Sequence, residues 1–219
     1  MKTIYLYVSN SGWTPFDLDC EETKQEINKR YILIGDSAEI GNYAEIGNYA
    51  EIGNYAEIGD SAKIGNYAKI GDSAEIGYYA EIGNYAKIGD SAEIGYSAKI
   101  GDSAEIGYYA EIGYYAKIGN YAKIGDYAKI GDYAEIGNSA RIKPNQIILK
   151  TIFITGTKHT VNWYGCDCIN IGCHTKEISW WLKNYKDIGK KEGYTNEEIE
   201  EYHQYILICQ KLFNLKPKP

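Results

Sequence analysis

The sequence predicts a mainly β protein: a parallel β-solenoid over residues 34–142, an N-terminal cap over 1–33 and a small C-terminal α+β domain over 143–219. Two observations carry the solenoid. From Ile34 to Ile142 an isoleucine recurs every six residues, nineteen times without a slip. From Gly35 to Gly137 a glycine follows each of them.

An α-helix places residues six apart on nearly opposite faces, so this spacing cannot make a helical apolar stripe. The unit Ala-Glu/Lys-Ile-Gly-Asn/Asp/Tyr-Tyr/Ser reads instead as a short strand, with Tyr or Ser out, Ala in, Glu or Lys out and Ile in. Gly with Asn or Asp then turns the corner, because these residues accept left-handed backbone angles. Each hexad is one strand and one corner.

The flanks read differently. Residues 1–33 offer a strand, Thr3–Val8, and an amphipathic helix from Asp19 to Arg30. Open solenoid ends expose unpaired strand edges, and such segments can cap them. Beyond the repeats, a β-meander is expected over Gln146–Thr155, His159–Tyr164 and Cys168–Cys173, with turns at Gly156 and Gly165. Two helices follow. The first gathers Ile178, Trp181, Leu182 and Tyr185; the second opens on a Thr195–Glu198 capping box and gathers Ile199, Tyr202, Ile206, Cys209 and Phe213. The tail Lys216–Pro219 is expected to fray.

The repeat resembles the hexapeptide-repeat family across 109 of 219 residues. That resemblance implies a left-handed parallel β-helix with three hexads per triangular coil, hence about six coils. The end of the chain, through Ile169-Asn-Ile-Gly-Cys-His174 and Asn184–Tyr202, is loosely similar to uncharacterised phage and gut-bacterial domains.

Charge is uneven: −1 over residues 1–33, −9 over 34–142 and +3 over 143–219, within a total of −7. An acidic solenoid is the wrong sign for phosphate, which disfavours nucleic acid as its partner. No apolar run approaches a membrane span or a signal-peptide core. Five cysteines without a disulfide-framework spacing suit a reducing compartment. A cytoplasmic protein of a bacterial or phage-infected cell is therefore expected.

Hexapeptide-repeat acyltransferases imply a histidine general base near a loop ejected from a coil, with acyl-CoA between subunits of a trimer; the γ-class carbonic anhydrases imply histidine metal ligands. The nineteen hexads contain neither an insertion nor a histidine. Fold alone does not establish an activity. The expectation is thus a non-catalytic binding or structural protein, phage-encoded, acting as a protein-binding inhibitor or sequestering scaffold, and not an enzyme. The alternatives are an atypical hexapeptide-repeat acyltransferase and a fibre or particle component.

Candidate surfaces follow from stacking the hexads by eighteen residues. One face carries Glu39, Glu57, Glu75, Glu93 and Glu111 before Lys129. Glutamates ~5 Å apart repel by roughly 0.8 kcal/mol in water before screening, so this ladder either has a cationic partner or is a residue of tandem duplication. A second face alternates almost perfectly as Glu45, Lys63, Glu81, Lys99, Lys117 and Glu135, beside a corner column of Tyr78, Tyr96 and Tyr114. Large rings with polar tips suit an interface, and a homo-oligomer through this tyrosine edge is expected. Cys166, Cys168, Cys173 and His174 could form a soft-metal site, but strand alternation would split Cys168 from Cys173, so no cofactor is expected and zinc is disfavoured. His159 and His203 have no partner evident from sequence.

Overall fold

The structure, a computed structural model, describes residues 3–8 and 11–215; the Lys216–Pro219 tail, expected to fray, lies outside them. Two compact units divide the chain, residues 1–147 and 148–219.

The first unit is a parallel solenoid walled by three sheets. Two have seven strands, and the third has eight, six of them from hexads. Each solenoid strand pairs with the residue eighteen positions on, as in Ile76 with Ile94 and Ile82 with Ile100. Ile and Ala fill the interior: Ala80, Ala86 and Ala92 are fully buried, and Ile76, Ile82 and Ile88 nearly so. Fully burying one isoleucine is worth about 1.5–3 kcal/mol, and the hexad repeats that gain throughout its length.

The corner works differently from the sequence expectation. Left-handed angles fall on the Tyr or Ser, for example φ 59° at Tyr67, φ 55° at Ser91 and φ 57° at Tyr115. In nearly all the corners the Ala amide donates to the Gly carbonyl three residues back, as Ala80 does to Gly77 at 3.2 Å. A positive φ at the third position of such a turn is the type II arrangement. Holding a residue with a Cβ there costs roughly 1–2 kcal/mol, and inter-coil bonds offset it: the Tyr79 amide donates to the Asp60 carbonyl at 3.0 Å. Glycine is needed for space instead. A Cβ on Gly77 would lie 2.7 Å from the carbonyl carbon of Gly95 in the next coil.

The Asn and Asp side chains close the corners. Asn66 Oδ1 accepts from the Asn48 amide at 2.8 Å, Asn84 Oδ1 from Asn66 at 2.9 Å and Asp102 Oδ1 from Asn84 at 2.7 Å. These amides point along the stack, where an Ala at the same position would leave them without that acceptor.

The hexad outlasts its letters. Ile147–Ile148 forms another solenoid strand, not part of the meander expected from Gln146. Lys143-Pro-Asn-Gln146 makes its corner, with Asn145 at φ 60° and the Gln146 amide donating to Lys143 at 3.3 Å. Proline is favoured at the second position of this turn.

At the N-terminal end, Thr3–Val8 forms as expected and pairs in parallel with Ala44–Ile46. A strand unforeseen from sequence, Gly12–Asp17, pairs antiparallel on its outer edge. Helix α1 spans Glu21–Lys29. Arg30, nearly buried, donates from Nε to the Tyr7 carbonyl at 2.9 Å and pairs with Glu26, tying the helix end to the first strand.

The second unit is an antiparallel sheet of Ile152–Thr155, Thr160–Trp163, Cys168–Ile171 and His174–Glu177 in chain order, with helices α2 (Ile178–Lys191) and α3 (Asn196–Asn214). The expected strand Cys168–Cys173 stops at Ile171, because Gly172 at φ 57° turns the chain into a fourth strand. Both helical faces pack as read: Val161, Trp163, Ile169, Ile178, Trp181, Tyr202, Ile206 and Cys209 share one core. The capping box forms, with Thr195 accepting from the Glu198 amide and Glu198 from the Thr195 amide.

Candidate functional site

The solenoid surface is ordered by its eighteen-residue register. Glu39, Glu57, Glu75, Glu93 and Glu111 stand in one column, and Lys129 closes it through a 2.5 Å contact with Glu111. On the other two faces Lys99 with Lys117, Lys69 with Lys87 and Lys123 with Arg141 are like pairs, while opposite charges meet at most steps, as in Lys99 with Glu81 at 3.0 Å and Lys69 with Glu51 at 2.8 Å. Exposed pairs of this kind contribute about 0–1 kcal/mol each, so they set surface pattern more than stability.

The tyrosine edge is more interleaved than a single column. Tyr96 meets Tyr79 and Tyr115 edge-on, at 5.6 and 5.4 Å between ring centres. Ser97 stands between those two tyrosines in their own column, and the Tyr96 ring bridges them. Tyr78 and Tyr114 remain more than half exposed. A longer stack runs along another corner, Tyr31, Tyr49, Tyr67 and Tyr85, with centres 4.6–5.1 Å apart and nearly parallel planes. It was legible as tyrosine at every eighteenth residue from position 31.

Titratable chemistry gathers in the second unit, where all three histidines lie. His159 Nδ1 is 2.5 Å from the Tyr194 hydroxyl, and the two rings stack 5.9 Å apart. The Tyr202 hydroxyl fixes the same loop, accepting from the Lys158 and His159 amides at 3.0 and 2.5 Å and donating to the His159 carbonyl at 2.7 Å. Burial and the neighbouring Tyr202 push the Tyr194 phenol well above its ordinary value, which keeps it neutral. In the tautomer where Nδ1–H donates to that phenol, His159 Nε2 retains its lone pair. His159 edges a cavity of about 50 Å³ that His174, Trp181 and Tyr202 also line. That is room for water, not for a thioester substrate, which would have to approach from the open side.

The other two histidines are engaged differently. His174 Nε2 lies 3.8 Å from the Glu192 carboxylate and its ring meets Trp181 edge-on. His203 stacks on Tyr185 at 4.1 Å, with Nδ1 3.4 Å from Glu200.

Of the four expected metal ligands, the structure brings two together. Cys166 and Cys168 share a cluster with Asp167, whose donor atoms lie within 4.8 Å of one another. Asp167 was missed because its role depends on a turn, not a spacing. Cys173, exposed in the following hairpin, and His174, facing Glu192, stand outside that cluster. Burial, with the charge of Cys166 second, pushes the Cys168 thiol up to about 12.

The family model described as bacterial transferase hexapeptide (six repeats) matches residues 43–78. With the three-sheet register, that match decides the class of the repeats. The solenoid belongs to the hexapeptide-repeat β-helix family. Among solved structures, this chain is similar to a Bacillus cereus protein whose assignment as an acetyltransferase is provisional, at 16% identity and TM-score 0.52, covering 97% of this chain and 98% of that one. It is also similar to a Caulobacter crescentus protein, PerB, solved with CoA and GDP-perosamine, at 16% identity and TM-score 0.47; it covers 61% of that chain with 55% of its own. A Francisella novicida UDP-N-acetylglucosamine acyltransferase is similar at 16% identity and TM-score 0.40, covering 84% of this chain and 78% of that one. Among curated proteins, none matches the chain.

These comparisons correct the expectation of a non-catalytic scaffold and of no enzyme. The physical reason lies in where the base was sought. The absence of histidine from the hexads does not bear on side chains outside them, where all three histidines lie. The phage assignment gains no support from them. Among the described residues, no helix is long and apolar enough to cross a membrane.

Proposed function

We propose that this chain is an acyltransferase of the hexapeptide-repeat kind, moving an acyl group from an acyl-CoA thioester to an amine or hydroxyl acceptor, and working as a homo-oligomer. The observation that carries the reading is the unbroken hexad register with its transferase-hexapeptide match at residues 43–78. The similar Bacillus cereus protein supports it at the level of fold.

Acyl transfer needs a base to take the acceptor's proton as its nitrogen or oxygen attacks the thioester carbonyl. The tetrahedral intermediate then expels the CoA thiolate, which takes up a proton. His159 is the side chain best disposed for the first step: Tyr194 holds its Nδ1, and the exposed ring stands at the cavity edge, where Nε2 would meet an incoming acceptor. His203 does not line that cavity, and His174, which does, turns its Nε2 toward Glu192.

The test is isotope-labelled acetyl-CoA offered with amino sugars, nucleotide-linked amino sugars, polyamines and hydroxylated acceptors, with products followed by mass spectrometry and CoA binding by calorimetry. Acceptor-dependent appearance of an acetylated product together with stoichiometric free CoA is expected. No CoA binding at millimolar concentration and no product from any acceptor class would overturn the proposal.

A further inference from the structure

The turn between the strands Thr160–Trp163 and Cys168–Ile171 holds three metal-ligating side chains in sequence, and the acyl-transfer reading makes no use of them. Cys166 Sγ, Cys168 Sγ and an Asp167 carboxylate oxygen all lie within 4.8 Å of one another. Around a tetrahedral zinc, with Zn–S about 2.3 Å and Zn–O about 2.0–2.2 Å, such donors stand roughly 3.5–3.8 Å apart. Closing onto an ion therefore asks for side-chain movement on the order of 1 Å. Two of the donors already touch, with Cys168 Sγ 3.4 Å from Asp167 Oδ1.

The backbone beneath all three is fixed by bonds that the donors do not make. The Trp163 indole donates to the Cys166 carbonyl at 2.7 Å. The Ile178 amide donates to the Asp167 carbonyl at 2.6 Å. Cys168 is paired with Glu177 across the sheet. Holding the chain this way removes most of the ordering cost that a flexible loop would meet on binding an ion. Cys166 and Cys168 are partly buried and Asp167 is exposed, so an ion can enter from solvent while the sulfurs stay sheltered.

We propose that Cys166, Asp167 and Cys168 bind one thiophilic divalent cation of the zinc and cadmium type, through two thiolates and a carboxylate, with water in the remaining position. Two soft sulfur donors select against magnesium and calcium, which take oxygen ligands. Binding releases the thiol protons to solvent as the two metal–sulfur bonds form. Cys173, one hairpin further on, is not a ligand of this site.

The full-length, metal-free, reduced chain is titrated with Cd2+ under anaerobic conditions, and the thiolate-to-cadmium charge-transfer absorption is followed. One saturable equivalent per chain is expected, displaced by Zn2+ and not by Mg2+. Cys166→Ser and Cys168→Ser each weaken it by more than the roughly 10–100-fold that outer-shell changes cost, while Cys173→Ser leaves it unchanged. A readout free of variants accompanies this: Cd2+ shields Cys166 and Cys168 from alkylation in the unaltered protein and leaves Cys173 reactive. The absence of a saturable phase, or the same titration in the Cys166→Ser/Cys168→Ser double variant, would overturn the proposal. So would alkylation of Cys166 and Cys168 that Cd2+ does not slow. None of these readouts depends on acyl transfer.

Discussion

The two units of this molecule divide their labour in opposite ways. Residues 34–142 contain no histidine and no cysteine and repeat one solution to burial, whereas residues 148–219 hold every histidine and four of the five cysteines around a single mixed core. Repetition suits a scaffold, because each coil depends on its neighbours and a local fault is borne locally. A single core is less forgiving, and it places unlike side chains together, as at His159 with Tyr194 and at Cys166 with Cys168. The contrast teaches that the family-defining part of the chain and its reactive groups need not coincide.

The largest test of this contrast is Trp181→Ala. The indole is buried and donates to the Ile169 carbonyl at 3.0 Å, so its loss should destabilise the second unit by about 3–5 kcal/mol. Hydrogen exchange should show lost protection in residues 148–219; protection at wild-type level there would refute the single-core description. Next, Ile88→Ala in a central coil should cost about 2–5 kcal/mol, while Glu93→Ala should cost under about 0.5 kcal/mol. Denaturant titrations giving equal effects would overturn the inward and outward assignment.

Gly77→Ala sharpens the account of the corners. Its new Cβ would press on the next coil's backbone, so a loss of about 1–3 kcal/mol is expected even though alanine is small. Ser91→Gly, at a left-handed position with φ 55°, should instead be neutral or stabilising. A thermal melt in which Gly77→Ala is harmless would mean that coil spacing is not what demands glycine.

The smallest effect is acid dependence in the second unit. Bonds from the Thr157 hydroxyl and amide hold the Glu201 carboxyl below its ordinary value of 4.5. Its folded value is depressed, so its contribution is present above the ordinary value and is lost as pH falls through the depressed one. Wild type should exceed Glu201→Gln by less than about 1 kcal/mol near neutrality, and the gap should close in strong acid. A gap that persists there would show that the loss is not electrostatic.

Legibility followed the same division. The inward Ile and Ala could be read from one hexad, because every coil restates it; the eighteen-residue register, and with it the three charge faces, came from the resemblance to the hexapeptide-repeat family, since the hexads alone fix a period of six. The Thr195–Glu198 box and the faces of α2 and α3 were equally open, since local spacing determines them. The corner was misread because composition favours Gly and Asn for positive φ, yet the close approach of coils reserves Gly for another place and leaves the left-handed angle to Tyr and Ser. Ile147–Ile148 was hidden by a change of letters from Gly-Asn-Tyr to Lys-Pro-Asn. The cluster at Cys166, Asp167 and Cys168, and the pairing of His159 with Tyr194 thirty-five residues away, depend on turns and tertiary packing that no spacing rule expresses.

The measurement that bears most directly on the account is acyl transfer from labelled acetyl-CoA by the wild type and by His159→Asn, with His174→Asn and His203→Asn alongside and all four chains confirmed as folded by circular dichroism. Removing a general base lowers such rates by about 10²–10⁴-fold. The account predicts that loss for His159→Asn alone, with the other two variants within a few-fold of wild type. Undiminished transfer by His159→Asn would contradict it.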